Sequence, residues 1–357
     1  MVSQVRQNES LSSFASLKVG YFPHNNTLRH PGDRRRFVFF AKETRIPFEI
    51  ADARKEYDVV FLTSSCNVSE WIAYKKQHPR TRLVFELIDS YLLEQANVKM
   101  YLKGAARFVT GKDKNLFVDY RKAFIEIIRI ADAVVCSTPV QQALIEQYNK
   151  NVHVSLDYFE NEISEVKSDY KIGEKLKLVW EGQSYTVENI LILSKVFKEI
   201  ENEIELHVIT DKLIPYPLGL SKKTKTILDK LKVEYHFHEW KFDTFASQAI
   251  RYDLALIPLD SKKAIMWNKP ENKLLFFWQA GLPALTSPSP SYTRVMNAAG
   301  IQMYAANEKE WVEKILRYKF ARESERAALL KKMKAYIGVH HSKEIILNRW
   351  KRIFQLN

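Results

Sequence analysis

Short apolar runs rich in Val, Ile, Leu and Phe alternate along this chain with longer stretches whose apolar residues recur at helical spacing. That rhythm constrains the fold more than any other feature. Runs too short to be helices, each followed by a helical stretch, are the strands and crossovers of parallel sheets. In the first half the expected strands are Leu17 to Phe22, Phe48 to Ala51, Asp58 to Leu62, Leu83 to Ile88, Ala133 to Cys136 and Val152 to Leu156. Helices are expected near Arg34 to Thr44, Ser69 to Gln77, Asp119 to Ile130 and Pro139 to Tyr148, with Phe124, Ile127, Ile128 and Ala131 forming a core stripe.

The second half repeats the scheme. Its expected strands are Leu176 to Trp180, Ile204 to Ile209, Val233 to Phe237, Leu254 to Pro258, Ala284 to Thr286 and Ile301 to Tyr304. Its expected helices are Val187 to Glu199, Lys222 to Leu231, Thr244 to Arg251, Asn272 to Ala280 and Tyr292 to Ala298, and a mostly helical run from Glu308 to Phe354 follows. At 357 residues the chain is too long for one ordinary core. Between the halves, Asp157 to Glu174 is acidic with few apolar anchors and reads as an exposed linker. The expected fold class is α/β: two doubly wound Rossmann-like domains facing each other across a cleft, the first over 1–160 and the second over 175–340, joined by a linker at 161–174. Ligands of such sheets bind outside the carboxyl ends of the strands.

Composition excludes several other classes. With 46% hydrophobic and 27% charged residues the chain has the balance of a soluble globular protein, not of a disordered or fibrous one. No apolar run approaches the roughly 20 residues of a membrane-spanning helix. Met1 to Ser16 is polar and lacks the apolar middle of a signal peptide. Two distant cysteines, Cys66 and Cys136, make neither a disulfide framework nor a zinc site. A reducing cytoplasmic location is therefore expected, and the sequons at Asn8, Asn25 and Asn67 are read as chance matches. The net charge of +13 favours a polyanionic partner: a phosphorylated substrate, nucleic acid or an anionic membrane face. The bases are dispersed, without a tail-like block or a known nucleic-acid-binding motif, so nucleic acid is not expected as a partner.

Asp253 to Ser287 carries the most chemistry. An apolar strand ends at Pro258, a polar loop follows, a helix opens near Asn272, and Gly281-Leu-Pro leads into another strand. Asp253-Leu-Ala-Leu-Ile-Pro-Leu259, the basic loop and Ala280-Gly-Leu-Pro-Ala284, in that order, resemble the carboxyl-terminal domain of GT-B fold glycosyltransferases, above all the bacterial surface-polysaccharide enzymes. Lys269-Pro-Glu-Asn272-Lys273-Leu274 is similar to a donor-loop variant of that family, and Val179-Trp-Glu-Gly182 to its first glycine loop. The resemblance implies a nucleotide-diphosphate sugar as donor substrate, no separate cofactor, and no catalytic metal. It implies donor contacts from Gly182, Lys269, Glu271, Asn272 and Lys273, and from His238 in the His236 to Trp240 stretch, the usual place of the nucleotide-base loop. It also implies that the segment 341–357 forms a helix crossing back to the first domain. Physically, cations at a helix amino terminus suit a departing diphosphate, and a glycine permits close backbone approach. Where one branch of the family has a pair of glutamates, this chain has Asn268 and Phe276, which leaves inversion or retention open.

In the first half, the strand ending Val19-Gly-Tyr-Phe22 opens into a loop with His24, His30, Pro31-Gly32, Asp33 and the arginines Arg34, Arg35 and Arg36. In the GT-B family this loop approaches acceptor and donor phosphate, which makes Gly32, Arg35 and Arg36 phosphate or acceptor candidates. Consecutive arginines point in different directions on a helix, so at most two face one ligand. Asp33 is a candidate helix cap and catalytic residue. His24 and His30 are acid/base candidates because imidazole titrates near neutral pH. Asp89, at the end of Leu83 to Ile88, is the candidate base for an acceptor hydroxyl. Thr138-Pro139 reads as a helix start.

The expected function is transfer of a sugar from a nucleotide-activated donor to a hydroxyl of a glycan or lipid-linked acceptor, in surface-polysaccharide synthesis, peripheral to the cytoplasmic membrane face. Two rivals stay open: a nucleotide-sugar epimerase of the same fold, and a non-catalytic basic glycan- or nucleic-acid-binding protein.

Overall fold

A computed structural model describes residues 17–93, 105–106, 108–109, 119–159, 162–216 and 220–354. They form two compact units. One runs to Tyr158 and takes in the chain again from Lys343; the other is Phe159–Ser342.

The first unit is built on a parallel sheet of β1 (Val19–Phe22), β2 (Glu49–Ile50), β3 (Val59–Thr63), β4 (Arg82–Leu87), β5 (Ala133–Cys136) and β6 (Val152–Val154), in the order β2-β1-β3-β4-β5-β6. Side chains alternate across a strand, so neighbouring residues serve opposite cores. Val59 and Phe61 of β3 join Tyr21, Val84 and Val135 beneath helix Phe37–Thr44 and helix Lys343–Ile353. Val60 and Leu62 join Leu83, Phe85 and Val134 beneath helix Val68–Gln77 and helix Tyr120–Ile130. Both faces of the sheet are covered, which is why its strands are continuously apolar.

The second unit repeats the plan with β7 (Leu176–Glu181), β8 (Ile204–Thr210), a hairpin of β9 (Leu213–Pro215) and β10 (Ser221–Lys223), then β11 (His236–Glu239), β12 (Leu254–Ile257) and β13 (Ala284–Thr286). The main sheet is parallel in the order β11-β8-β7-β12-β13, and β9 and β10 pair separately, antiparallel. Leu178, Trp180, Leu206, Val208 and Leu256 form its core with Val187, Ile190, Leu193 and Trp311.

Several expectations change. Residues 157–174 are not a bare linker: Asp157, Tyr158, Phe159 and Tyr170 are buried, while 160 and 161 lie outside the described residues. The Tyr170 hydroxyl donates to the carbonyl of Gly281 at 2.8 Å. Gly281 itself, at φ 77°, ends the helix Asn272–Gln279 in a conformation that disfavours side chains. Lys222 and Lys223 belong to β10 rather than to a helix, and Ile301 to Tyr304 contributes one bridge, Tyr304 to Thr286.

Candidate functional site

In an open parallel sheet the ligand crevice lies beyond the strands' carboxyl ends where the strand order reverses. That point falls between β7 and β12 in the second unit and between β1 and β3 in the first.

In the second unit, β7 ends at Trp180-Glu181 and the helix Asn272–Gln279 opens beside it after the loop that follows β12. Lys273, its second residue, reaches back to β7. Its Nζ donates to the carbonyl of Glu181 at 2.5 Å and stands 3.2 Å from Glu181 Oε2. The Trp180 ring lies 5.7 Å from the same ammonium. The Lys273 side chain keeps 30% of its surface exposed, so a lysine paired with Glu181 is partly open where the topology marks a crevice. Backbone dipoles of the helix's first turn add positive potential there. Lys269 and Asn272 are half-buried at the same opening.

Gly182, the next residue of β7's turn, is tightly packed: a Cβ there would meet the Trp180 ring at 2.7 Å and the Thr186 hydroxyl at 2.8 Å. Its lack of a side chain thus has a packing cause within the unit. Glu271, expected on the donor side, is 1% exposed and is engaged by the Arg294 guanidinium. Burial, with the nearby charges of Glu271 and Glu181, holds the Tyr292 hydroxyl above its usual pKa. His238 lies on β11 with Nε2 3.0 Å from His207 Nδ1. The His207 ring stacks on His236 and His238, abuts Tyr252, and has Nε2 2.8 Å from Glu205. Burial pulls the His207 pKa down to about 4, and burial with the His236 charge lowers that of His238.

In the first unit, the loop after β1 wraps around one carboxylate. Asp33 accepts the Tyr21 hydroxyl at 2.6 Å and the backbone N–H groups of His24 at 2.8 Å and Asn25 at 3.1 Å. It is fully buried, so it shapes the loop and is turned away from any ligand. The helix cap expected of it is His30, whose Nδ1 accepts from Gly32 N–H at 3.1 Å. A Cβ on Gly32 would sit 2.7 Å from the His24 ring, so only glycine lets the rings of His24 and His30 approach to 4.9 Å.

His24 Nδ1 lies 3.2 Å from Ser65 Oγ, which follows β3. Burial, with the charges of His30 and Arg36, lowers the His24 pKa to about 3. At that value the imidazole is neutral near pH 7, one ring nitrogen a hydrogen-bond donor and the other an acceptor. Arg36, expected to face a phosphate, is wholly buried. It holds Glu86 at 2.7 Å, Asp157 at 3.2 Å and the carbonyl of Ser155 at 2.9 Å. Burial raises the Glu86 pKa to about 7 in spite of that guanidinium. Arg35 stays at the surface of this cluster, 3.9 Å from Asp157.

Asp89, half-buried beyond β4, has its backbone fixed by Gln141. That buried amide donates to the carbonyls of Leu87 at 2.6 Å and Asp89 at 2.9 Å, and accepts from Ser137 N–H at 3.0 Å. The Asp89 charge also acts on His30. The structure thus gathers His24, His30, Gly32 and Asp89 at the sheet's carboxyl edge and draws Asp33 and Arg36 into the interior. Sequence reading missed Ser65, Gln141, Glu181 and Arg294. Ser65 was signalled only by following β3 and Glu181 only by ending β7, the strands at the two reversal points. Gln141 and Arg294 carried no local signal. Among the described residues no group of three or more His, Cys, Asp or Glu side chains is placed to hold a metal ion.

No family model matches the chain. No curated protein matches it in sequence either. Solved structures do match in fold. Alr3699/HepE of Anabaena, crystallised with UDP and glucose, superposes with a TM-score of 0.64 over 95% of this chain and 99% of its own, at 11% identity. A glycosyltransferase from Rickettsia africae gives 0.58 over 99% and 95% at 9% identity. OtsA, in its apo form, gives 0.57 over 99% and 94% at 10% identity. With two doubly wound parallel units, and superposing on these proteins over nearly its whole length, the chain has the GT-B glycosyltransferase fold.

Proposed function

We propose that this protein is a nucleotide-sugar-dependent glycosyltransferase that acts on a hydroxyl of a glycan or lipid-linked acceptor in cell-surface polysaccharide synthesis, at the cytoplasmic face of an anionic membrane. The observation that carries the reading is Lys273, a partly exposed lysine held by Glu181 at a helix amino terminus beside the carboxyl end of β7. A departing diphosphate needs a cation and aligned backbone dipoles at one point, and they coincide here. HepE, similar over nearly the whole chain, has been crystallised with UDP and with UDP-glucose, which supports a uridine nucleotide as the first donor to try. In this reading Lys269 and Asn272 flank the phosphates, Asp89 takes the proton of the acceptor hydroxyl, and no metal is required.

Isothermal titration with UDP and uridine tests it. Lys273→Ala is expected to weaken UDP binding ten- to a hundredfold, as loss of a charge-assisted contact worth about 1.5–3 kcal/mol implies, and to leave uridine binding nearly unchanged. Equal losses for both ligands would give Lys273 a structural role. Failure of the unaltered protein to bind UDP or any other nucleoside diphosphate would overturn the reading.

A further inference from the structure

Glu181 is the last residue of β7, and Lys273 engages two of its oxygens. The ammonium donates to the backbone carbonyl at 2.5 Å and stands 3.2 Å from Oε2 of the same residue. The carbonyl alone already tethers the lysine to the end of the strand, so the carboxylate adds charge more than position. Its side chain is 14% exposed, which limits the water and salt that could screen it. Among the described residues Lys273 is the one cation within ion-pair distance of it. The other acid of this neighbourhood, Glu271, is engaged by Arg294, and the Tyr292 hydroxyl feels both carboxylates. Glu181 thus sets an anion directly against the lysine that the proposed function gives to the donor's diphosphate.

A carboxylate in that place weakens the hold on any phosphate, but not on all equally. A phosphate oxygen accepting from the ammonium at about 2.8 Å lies no more than about 6 Å from Oε2. In a nucleotide sugar the outer phosphate is esterified and carries one charge. In the free nucleoside diphosphate left after transfer it carries nearly two, because its second pKa is about 6. One further unit charge at about 6 Å from a carboxylate costs about threefold in affinity even at the dielectric constant of water, and more in a partly enclosed site. We propose that Glu181 is a specificity-determining residue of the donor subsite, disfavouring the free nucleoside diphosphate against its sugar ester and so hastening the exchange of product for fresh donor. The inference deepens the function proposed above and rests on its assignment of Lys273 to the diphosphate, here to the outer phosphate.

The test is isothermal titration at pH 8 and low ionic strength with UDP and UDP-glucose, on the unaltered full-length protein and on Glu181→Gln. Glutamine keeps the size and an oxygen for the Lys273 ammonium and removes the charge. The variant is expected to tighten UDP at least about threefold more than UDP-glucose, and the gap should narrow at high salt. Glu181→Asp retains the charge and should keep the ratio of the two affinities close to that of the unaltered protein. Melting curves of both variants check that the fold is kept. An unchanged ratio in Glu181→Gln, or weaker binding of both ligands, would overturn the proposal. So would a ratio that Glu181→Asp moves as far as Glu181→Gln, since shape and not charge would then be responsible. If another nucleoside diphosphate binds better than UDP, it and its sugar ester replace the uridine pair. Binding by the unaltered protein with no change of ratio in Glu181→Gln defeats this inference alone. Failure of the unaltered protein to bind UDP, GDP, CDP or TDP defeats the proposed function and this inference with it.

Discussion

Asp89 is held by a clamp that does not involve its own carboxylate. Gln141 fixes the backbone, leaving the side chain half-buried beside His30 at the sheet's carboxyl edge. In the proposed reaction Asp89 is the base for the acceptor hydroxyl, and its carboxylate is the group of that loop cluster to test first. Asp89→Asn keeps shape and hydrogen bonding, so donor affinity should hold while sugar transfer falls by roughly 10² to 10⁴. An unchanged transfer rate would remove Asp89 as base and point to a retaining reaction in which the donor phosphate takes the proton. A second residue makes a separate prediction about pH. His207 faces Glu205, His236, His238 and Tyr252, and its pKa of about 4 lies below the ordinary value of about 6.5. On acidification the unfolded chain therefore gains a proton near pH 6.5 that the folded one refuses until about pH 4. Stability is full above that window and declines through it. Thermal melts of His207→Gln across the same window should show a shallower decline; an identical slope would show that His207 is not the group responsible.

At the scale of elements, the Arg36 cluster ties the chain after β1 to β4 and to the segment after β6. Replacing Arg36 by Met would leave Glu86 buried without its guanidinium, so a loss of about 3–5 kcal/mol is expected in urea unfolding. A loss below about 1 kcal/mol would show that the carboxylate readily finds water or another partner. The same cluster shows the limit of reading from sequence. Three arginines in a row advertise a phosphate site, but which one turns inward is decided by Glu86 and Asp157, distant in sequence. Local signals served well where the cause was local. Thr138 caps the helix Pro139–Ile145 by accepting from Gln141 N–H, and Asp119 caps Tyr120–Ile130 by accepting from Arg121 N–H. The apolar strands were legible because both faces of each sheet are covered. Ser184–Leu193 was read in part as α-helix but is wound as a 3₁₀ helix. There Val187, Ile190 and Leu193, spaced by three, fall on one face and are all buried. Of the candidate site, Lys273 was named from the donor-loop resemblance at a helix start and Asp89 from its place after a strand, and their roles await the experiments above. The inward turn of Glu271 depends on Arg294, which no local pattern announces.

For the molecule as a whole, the chain leaves the first unit after Tyr158 and returns to it at Lys343. The returning helix buries Ile346, Trp350, Ile353 and Phe354 against Phe37, Phe40 and Phe61, with Trp350 and Phe40 stacked at 5.7 Å. At about 1.5–3 kcal/mol for each large apolar side chain, that contact rivals the whole stability of an ordinary domain, about 5–15 kcal/mol. A chain ended at Tyr158 should therefore lose cooperative unfolding, and adding residues 343–357 as a separate peptide should restore it. Sharp unfolding of the shortened chain alone would refute this. On the ribosome the arrangement imposes an order of events. All of Phe159–Ser342 must be synthesised before the closing helix emerges, and at about 5–20 residues per second that takes roughly 10–40 s. Throughout that interval the aromatic floor of Phe37, Phe40 and Phe61 is uncovered, so the nascent first unit is a natural client for a holding chaperone while the second, later-made unit folds to completion ahead of it.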